Sequence, residues 1–194
     1  VEGAEDSAEQ GAADLDARGV SKRDVVVGIA ASGGTPYVLG ALNAARRTGA
    51  VTVGITSNRR SPIAERADIL IAPETGPEAI LGSTRMKAGT AQKMVLNMLS
   101  TATMVKLGRV YDNWMIGVAQ TNQKLRARAA GILEQASGAD ARAAEHALQQ
   151  SGHDLRVALV MLKRHLDAKE ARLELRRAKD NLRMALGEAK RARS

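Results

Sequence analysis

The chain has no cysteine and no phenylalanine, a single tryptophan and two tyrosines. Without cysteine there are no disulfides and no thiolate metal sites, which fits an intracellular home. Without phenylalanine the core must come from Ala, Val, Leu, Ile and Met, which supply most of the 44% apolar content. Single-strand nucleic-acid binders stack bases on aromatic platforms, and this chain has almost none to offer. No apolar run approaches the roughly 20 residues of a membrane span, and no signal peptide is evident. The three histidines, His146, His153 and His165, lie in the C-terminal part at no metal-ligand spacing, so neither a metal site nor a Ser–His–Asp arrangement is expected. The net charge of +8 is concentrated between Lys163 and Arg193 and reads as a solvated basic helix, not a nucleic-acid surface. The first residue is Val, so the sequence reads as processed, trimmed or a fragment.

What is present is an alternation of periods. Residues 1–20 are acidic and Ala-rich and read as helix broken at Gly11. Val25–Ala30 is a continuous β-branched run, the mark of a strand buried on both faces. Thr35 can cap a following helix with Pro36 at its first position, ending at Gly49. A second strand at Val51–Thr56, a short helix at Ile63–Arg66 and a third strand at Asp68–Ala72 complete right-handed βαβ units on a parallel sheet. A long, buried apolar helix is expected over Thr90–Leu107, covering one sheet face. From Asn113 on the chain reads as helical: Trp114–Glu134, Asp140–Gln150, Asp154–His165, and a helix opened by Asp167-Ala168-Lys169-Glu170, a capping box. The expected class is α/β, divided into 1–134 and a small helical subdomain at 135–194.

Two segments carry chemistry. Ala30-Ala31-Ser32-Gly33-Gly34-Thr35-Pro36 joins the C-terminal end of a parallel strand to a helix N-terminus, where open α/β sheets bind ligands. Free amides and the helix dipole favour an anion, Ser32 and Thr35 add hydroxyls, and Gly33 permits close backbone approach, which makes this a candidate phosphate site. It has neither a Walker ending nor a dinucleotide fingerprint. Gly76–Lys93 is a glycine- and hydroxyl-rich loop with Glu78, Ser83, Thr84, Arg85 and Lys87, running into Met94-Val95-Leu96-Asn97-Met98-Leu99. Hydroxyls and cations gathered there suit a phosphorylated, hydroxylated small molecule. Glu5, in Val1-Glu2-Gly3-Ala4-Glu5-Asp6-Ser7, is by itself one carboxylate of an acidic helix start.

Together these segments resemble the N-acetylmuramic acid 6-phosphate etherases, within the sugar isomerase (SIS) domain superfamily. The resemblance runs through Val1–Ser7, Asp24–Leu39, Gly76–Ser100, Lys106–Asn113 and Asn122–Ala127, with a helical tail like the family's ubiquitin-associated-like end. The Gly76–Ser100 block is shared mainly with glucokinase regulatory proteins, which bind sugar phosphates without catalysis. The resemblance implies a flavodoxin-like three-layer fold, a homodimer, and cleavage of the lactyl ether to give N-acetylglucosamine 6-phosphate and D-lactate during peptidoglycan recycling. It implies no metal and no cofactor. A base removes the proton α to the aldehyde of the opened sugar, lactate leaves with acid assistance, and water adds back. Glu5 aligns with one catalytic glutamate. Ser32, Gly33 and Thr35 would hold phosphate, and Glu78, Ser83, Thr84 and Lys87 would line the sugar site.

Departures accompany the match. The family carries, before its VEGAED stretch, a Gly-Thr-Ser-Gly-Arg loop and a second catalytic glutamate. On that reading this chain lacks its first strands and is incomplete for catalysis. Gly34 stands where the family usually has Arg, Leu81 where it has a small hydroxyl residue, and Asp112–Gly117 departs from the usual pattern. A non-catalytic sugar-phosphate sensor is the alternative these departures favour; a nucleic-acid regulator would need a helix-turn-helix segment instead of this tail.

Overall fold

The computed structural model describes residues 2–117 and 122–188. Val1, the middle of the expected 114–134 helix and the last six residues of the basic end lie outside them. Two compact units follow one another along the chain, residues 1–98 and 99–194.

The first unit opens with a 3-10 turn, Glu2–Asp6, and α1, Ala8–Asp16. Strands β1 (Val25–Ile29), β2 (Val51–Ile55) and β3 (Ile69–Ile71) form a parallel sheet in the order β1-β2-β3. They alternate with α2 (Pro36–Thr48) and α3 (Pro62–Arg66). Proline opens both helices, where its missing N–H costs nothing, and Gly49 closes α2 in the left-handed conformation, φ 79°. In this register Gly28 pairs with Gly54. A Cβ on Gly28 would stand 2.8 Å from Leu42 Cδ1, and one on Gly54 2.4 Å from Ile63 Cγ2. The paired glycines thus let α2 and α3 settle on one sheet face. On the other face Val95 of α4 (Lys87–Lys106) packs with Val53 and Ile55. The result is three layers, helix–sheet–helix. Asp68 fastens β2 to β3, its Oδ2 accepting from both the amide and the hydroxyl of the fully buried Thr52, each at 2.8 Å.

Three expectations need correction. Gly11 does not break the first helix: it lies inside α1 and is buried. A Cβ there would fall 2.0 Å from the Tyr37 carbonyl oxygen, and one on Gly40 only 1.9 Å from that of Ala8. Two glycines, one on each helix, let α1 and α2 cross backbone against backbone. Next, β1 is not buried on both faces. It is the edge of the described sheet, and Val25 and Val27 are 60% and 37% exposed. Nor is α4 buried along its length. Only Ala88 and Val95 are, while Met94, Leu96, Met98, Met104, Val105 and Leu107 face outward.

The second unit contains a short hairpin whose second strand lies where helix is expected, from Asn113 on. Val110–Tyr111 (β4) pairs antiparallel with Trp114–Met115 (β5) around Asp112-Asn113, with Asp112 at φ 49°. Helix resumes at α5 (Gln123–Ser137), then α6 (Ala141–Gln150), α7 (Leu155–Arg164), α8 (Ala168–Arg177) and α9 (Leu182–Ala185). Each begins on an Asn or Asp whose side chain accepts a first-turn amide, and the Asp167–Glu170 capping box is present as expected. Ala129, Ala144, Ala158 and Ala171 are fully buried beside Leu133, Leu155 and Leu159, so small residues bring the helices close where no large aromatic fills the space. We retain the 1–134 and 135–194 division as a proposal about family segments; compactness divides the chain at Met98 and Leu99.

The glycine crossing predicts that Gly40→Ala destabilises the protein by about 1–3 kcal/mol through overpacking. Gly131→Ala, in α5 where a Cβ meets nothing within 4 Å, should instead stabilise by about 0.5–1 kcal/mol. Urea unfolding of the two variants checks this; a neutral Gly40→Ala would show that the crossing can open without cost.

Candidate functional site

The C-terminal ends of β1 and β2 feed two turns that hold each other. The Ala31 carbonyl accepts from the Thr56 hydroxyl at 3.1 Å and the Ser57 amide at 3.0 Å. The Gly33 carbonyl accepts from the Ile63 amide at 3.1 Å. Gly33 is buried at φ 74°, and a Cβ there would meet Ser61 Oγ at 2.1 Å. Only glycine fits, both for conformation and for space. Its own amide donates to the Ala30 carbonyl at 3.0 Å. Gly33 therefore shapes the turn from beneath while its N–H is spent on the turn.

Beside this double turn lies a cleft of about 540 Å³, lined by Glu5, Ser32, Thr35, Tyr37, Thr84 and Gln92 together with Ala4 and Ile29–Ala31. Ser32 is exposed. Thr35 occupies the N-cap position of α2 but makes no capping hydrogen bond with its side chain. The first-turn amides of α2 are thus left for an incoming acceptor, at the end of the helix where the dipole favours an anion. Glu5 arrives from the 3-10 turn before α1. Ser7 caps α1 by accepting from the Gln10 amide at 3.0 Å, which fixes the turn on which Glu5 sits.

The helix crossing behind this wall is tied by one polar link. The Tyr37 hydroxyl donates to Asp14 Oδ2 at 2.8 Å, while Gln10 Nε2 donates to Oδ1 at 2.7 Å. The Tyr37 bond first, then that of Gln10, holds the Asp14 carboxyl below the usual carboxylate range. The same bond, helped by desolvation, pushes the Tyr37 hydroxyl up.

The structure thus brings together Glu5, Ser32, Thr35 and Thr84 of the residues singled out from the sequence. Glu78 and Lys87 are placed otherwise. The Glu78 carboxylate accepts from the amides of Lys87, at 3.0 and 3.1 Å, and of Ala88, at 3.2 Å, so it caps α4 from nine residues upstream. The Lys87 ammonium donates to the Pro77 carbonyl at 2.8 Å. Both close the loop from Pro77 to α4. Ser83 lies in that loop, its amide donating to the Ile80 carbonyl at 3.1 Å. Tyr37 and Gln92 were not anticipated, though each adjoins a singled-out segment: Tyr37 follows Pro36, and Gln92 belongs to the Gly89-Thr90-Ala91-Gln92 turn of α4. Among the described residues no three His, Asp or Glu side chains gather to hold a metal, and no helix is long and apolar enough to cross a membrane.

Comparison with known proteins gives a SIS domain over residues 8–102. The chain is 52% identical over 186 residues to an N-acetylmuramic acid 6-phosphate etherase of Serratia proteamaculans, which covers 96% of this chain and 63% of that protein. It is 58% identical over 161 residues to the etherase of Symbiobacterium thermophilum, with 83% and 53% covered. For that of Geobacillus thermodenitrificans the identity is 50% over 186 residues, with 96% and 63% covered. The chain therefore spans between half and two thirds of the length of these relatives.

The Asp14–Tyr37 link gives a pH-dependent prediction. A carboxyl whose folded pKa is lowered contributes stability above its ordinary value, about 3.9, and loses that contribution as pH falls through the folded value. Tyr37→Phe should lower the urea midpoint near pH 7, and the difference from the parent should shrink in acid, below the ordinary carboxylate range. An equal loss at both values would mean that the ring's packing, not the bond to Asp14, is what the variant reports.

Proposed function

Since the chain belongs to the N-acetylmuramic acid 6-phosphate etherase family of SIS-domain proteins, we propose that its cleft receives N-acetylmuramic acid 6-phosphate. The reaction proposed is elimination of D-lactate followed by hydration, a carbon–oxygen lyase reaction of peptidoglycan recycling in the cytoplasm. The observation that carries the reading is the meeting of Glu5 with Ser32, Thr35 and Thr84 in one cleft at the uncapped N-terminus of α2.

The division of labour follows from the groups. Phosphate would sit at the α2 N-terminus, where Ser32 and Thr35 donate from their hydroxyls and the first-turn amides supplement them. Thr84 approaches from the loop before α4 and would meet a sugar oxygen. Glu5, the carboxylate of the cleft wall, would take the proton α to the aldehyde of the opened sugar or return one at the neighbouring oxygen. Gly33, Glu78, Ser83 and Lys87 belong to the same proposal, with Gly33, Glu78 and Lys87 holding the two loops in shape. A homodimer is part of this reading as well. The outward Met94, Leu96, Met98 and Met104 on α4 are a run of apolar side chains that a second copy would cover.

Two outcomes test the reading. D-lactate should be released from N-acetylmuramic acid 6-phosphate by protein containing this chain, and Glu5→Gln should lower the rate by about 10²–10⁴, the usual worth of a proton-transfer group. Unchanged turnover in the Glu5→Gln protein would remove Glu5 from the chemistry. Undiminished binding without turnover in either protein would favour a sugar-phosphate sensor. The second test uses Gly34, whose Cβ would meet nothing within 4 Å and whose φ is not left-handed. Gly34→Arg should fold normally and tighten sugar-phosphate binding by about tenfold, as one added charge-assisted hydrogen bond would. Titration calorimetry reads it, and weaker binding would place the phosphate elsewhere.

A further inference from the structure

One polar group of the cleft has no task in the reaction as assigned. Gln92, on the second turn of α4, lines the cleft opposite the β1–α2 turn. Its Nε2 is covered from solvent and has no hydrogen-bond partner. An unpaired buried amide nitrogen is destabilising and rare in folded proteins. A Met of the same length, or a Leu of similar volume, would fill the position without that cost. Two other orphans, Ser57 Oγ and Ser61 Oγ, belong to the β2–α3 turn and do not line the cleft, so Gln92 alone joins an unpaired donor to the binding wall.

We propose that Gln92 is a substrate-contacting residue whose side-chain amide turns into the cleft on binding and hydrogen-bonds a neutral group of the sugar. The terminal torsion of Gln is broad and soft, so the amide can reorient at little cost. Chemistry selects a neutral partner over the phosphate. The anion already has the helix N-terminus and the hydroxyls of Ser32 and Thr35, whereas Gln92 comes from a different element. A carboxamide both donates and accepts, which matches a sugar hydroxyl or an acetamido group, each of which does the same. Gln92 would then bind the sugar ring or its acetamido substituent and give the cleft preference for a sugar phosphate over phosphate itself. The inference rests on the sugar-phosphate reading of the cleft.

The test compares the parent chain with Gln92→Leu, and with Gln92→Met should the Leu variant fail to fold. Each is titrated calorimetrically with N-acetylglucosamine 6-phosphate, glucose 6-phosphate and inorganic phosphate, and unfolded in urea. The variants should be at least as stable as the parent, because an unpaired donor has been removed. They should bind the sugar phosphate about tenfold more weakly, the worth of one net hydrogen bond, with phosphate binding unchanged. Loss confined to the acetamido sugar identifies the acetamido group as the partner; equal loss for both sugars identifies a hydroxyl. Unchanged sugar-phosphate affinity overturns the inference, as does a parallel loss for phosphate or a drop in stability, which would reveal a partner within the fold. A parent chain that binds inorganic phosphate but shows no preference for either sugar overturns the sugar-phosphate reading itself, and the inference with it.

Discussion

Backbone-to-backbone contact between α1 and α2 is the constraint on which the cleft depends. Gly11 lies against the Tyr37 carbonyl and Gly40 against that of Ala8, each so close that a methyl group would overlap a carbonyl oxygen. The crossing sets where the turn before α1 can run, and Glu5 rides on that turn. It also sets α2 relative to the sheet, through Leu42 on Gly28, and α2 carries Thr35 at its N-terminus. Carboxylate and hydroxyl are thus positioned by the same pair of helices. The Tyr37–Asp14 bond adds direction to a contact that two glycines make possible but do not orient.

The β1–α2 end of the cleft is held by hydrogen bonds among backbone groups and small hydroxyls, with no large side chain involved. Thr56 bridges the two turns by donating to Ala31 and accepting from the Asn58 amide at 3.1 Å. Gly33 is locked beneath them. A turn fixed in this way presents its remaining groups, the Ser32 hydroxyl and the first amides of α2, without needing to reorganise when a ligand enters. Preorganisation of that kind lowers the entropy cost of binding a small anion. The loop ahead of α4 follows the same logic: Glu78 and Lys87 tie its ends together, which leaves Thr84 to reach the cleft.

Much of the fold is legible because its signals are local. In the first unit β-branched runs mark the three strands, and proline and glycine bracket α2; in the second, Asp167 with Glu170 marks the start of α8 to the residue. The misreadings have one cause: a residue's environment was inferred from its own segment. Gly11 looks like a helix breaker within an Ala-rich stretch and proves to be a contact point with α2, a fact held in the sequence of another helix. Tyr111-Asp112-Asn113-Trp114 carries the hairpin signature of two short-loop residues between aromatics, yet surrounding helical composition masked it. The capping of α4 by Glu78 from nine residues upstream is likewise invisible in its own segment, because it depends on how the loop closes. Gln92 carried a weak signal, a lone carboxamide among small residues, and only its lack of a partner in the fold sets it apart.

The two units differ in how they satisfy their apolar residues, and the difference bears on assembly. The helical unit has the larger buried cluster. Ala129, Ala144, Ala158, Ala171, Leu133 and Leu159 are fully buried, and Tyr111 is clasped by Lys163 and Glu188, with Arg183 over its ring. In the strand-bearing unit the buried cluster is small, centred on Val53, Ile55 and Val95, while Val25, Val51, Ile69, Met94 and Leu96 remain outward. Polar side chains at those places would cost the isolated unit nothing and would avoid an exposed strand edge, a known hazard. Apolar residues placed there against that gain are the ones the proposed homodimer would cover. The methionines of α4 suit such a surface, since their unbranched side chains adapt to the facing chain. In the homodimer proposed above, residues that bury nothing within their own unit are the ones a second copy would cover.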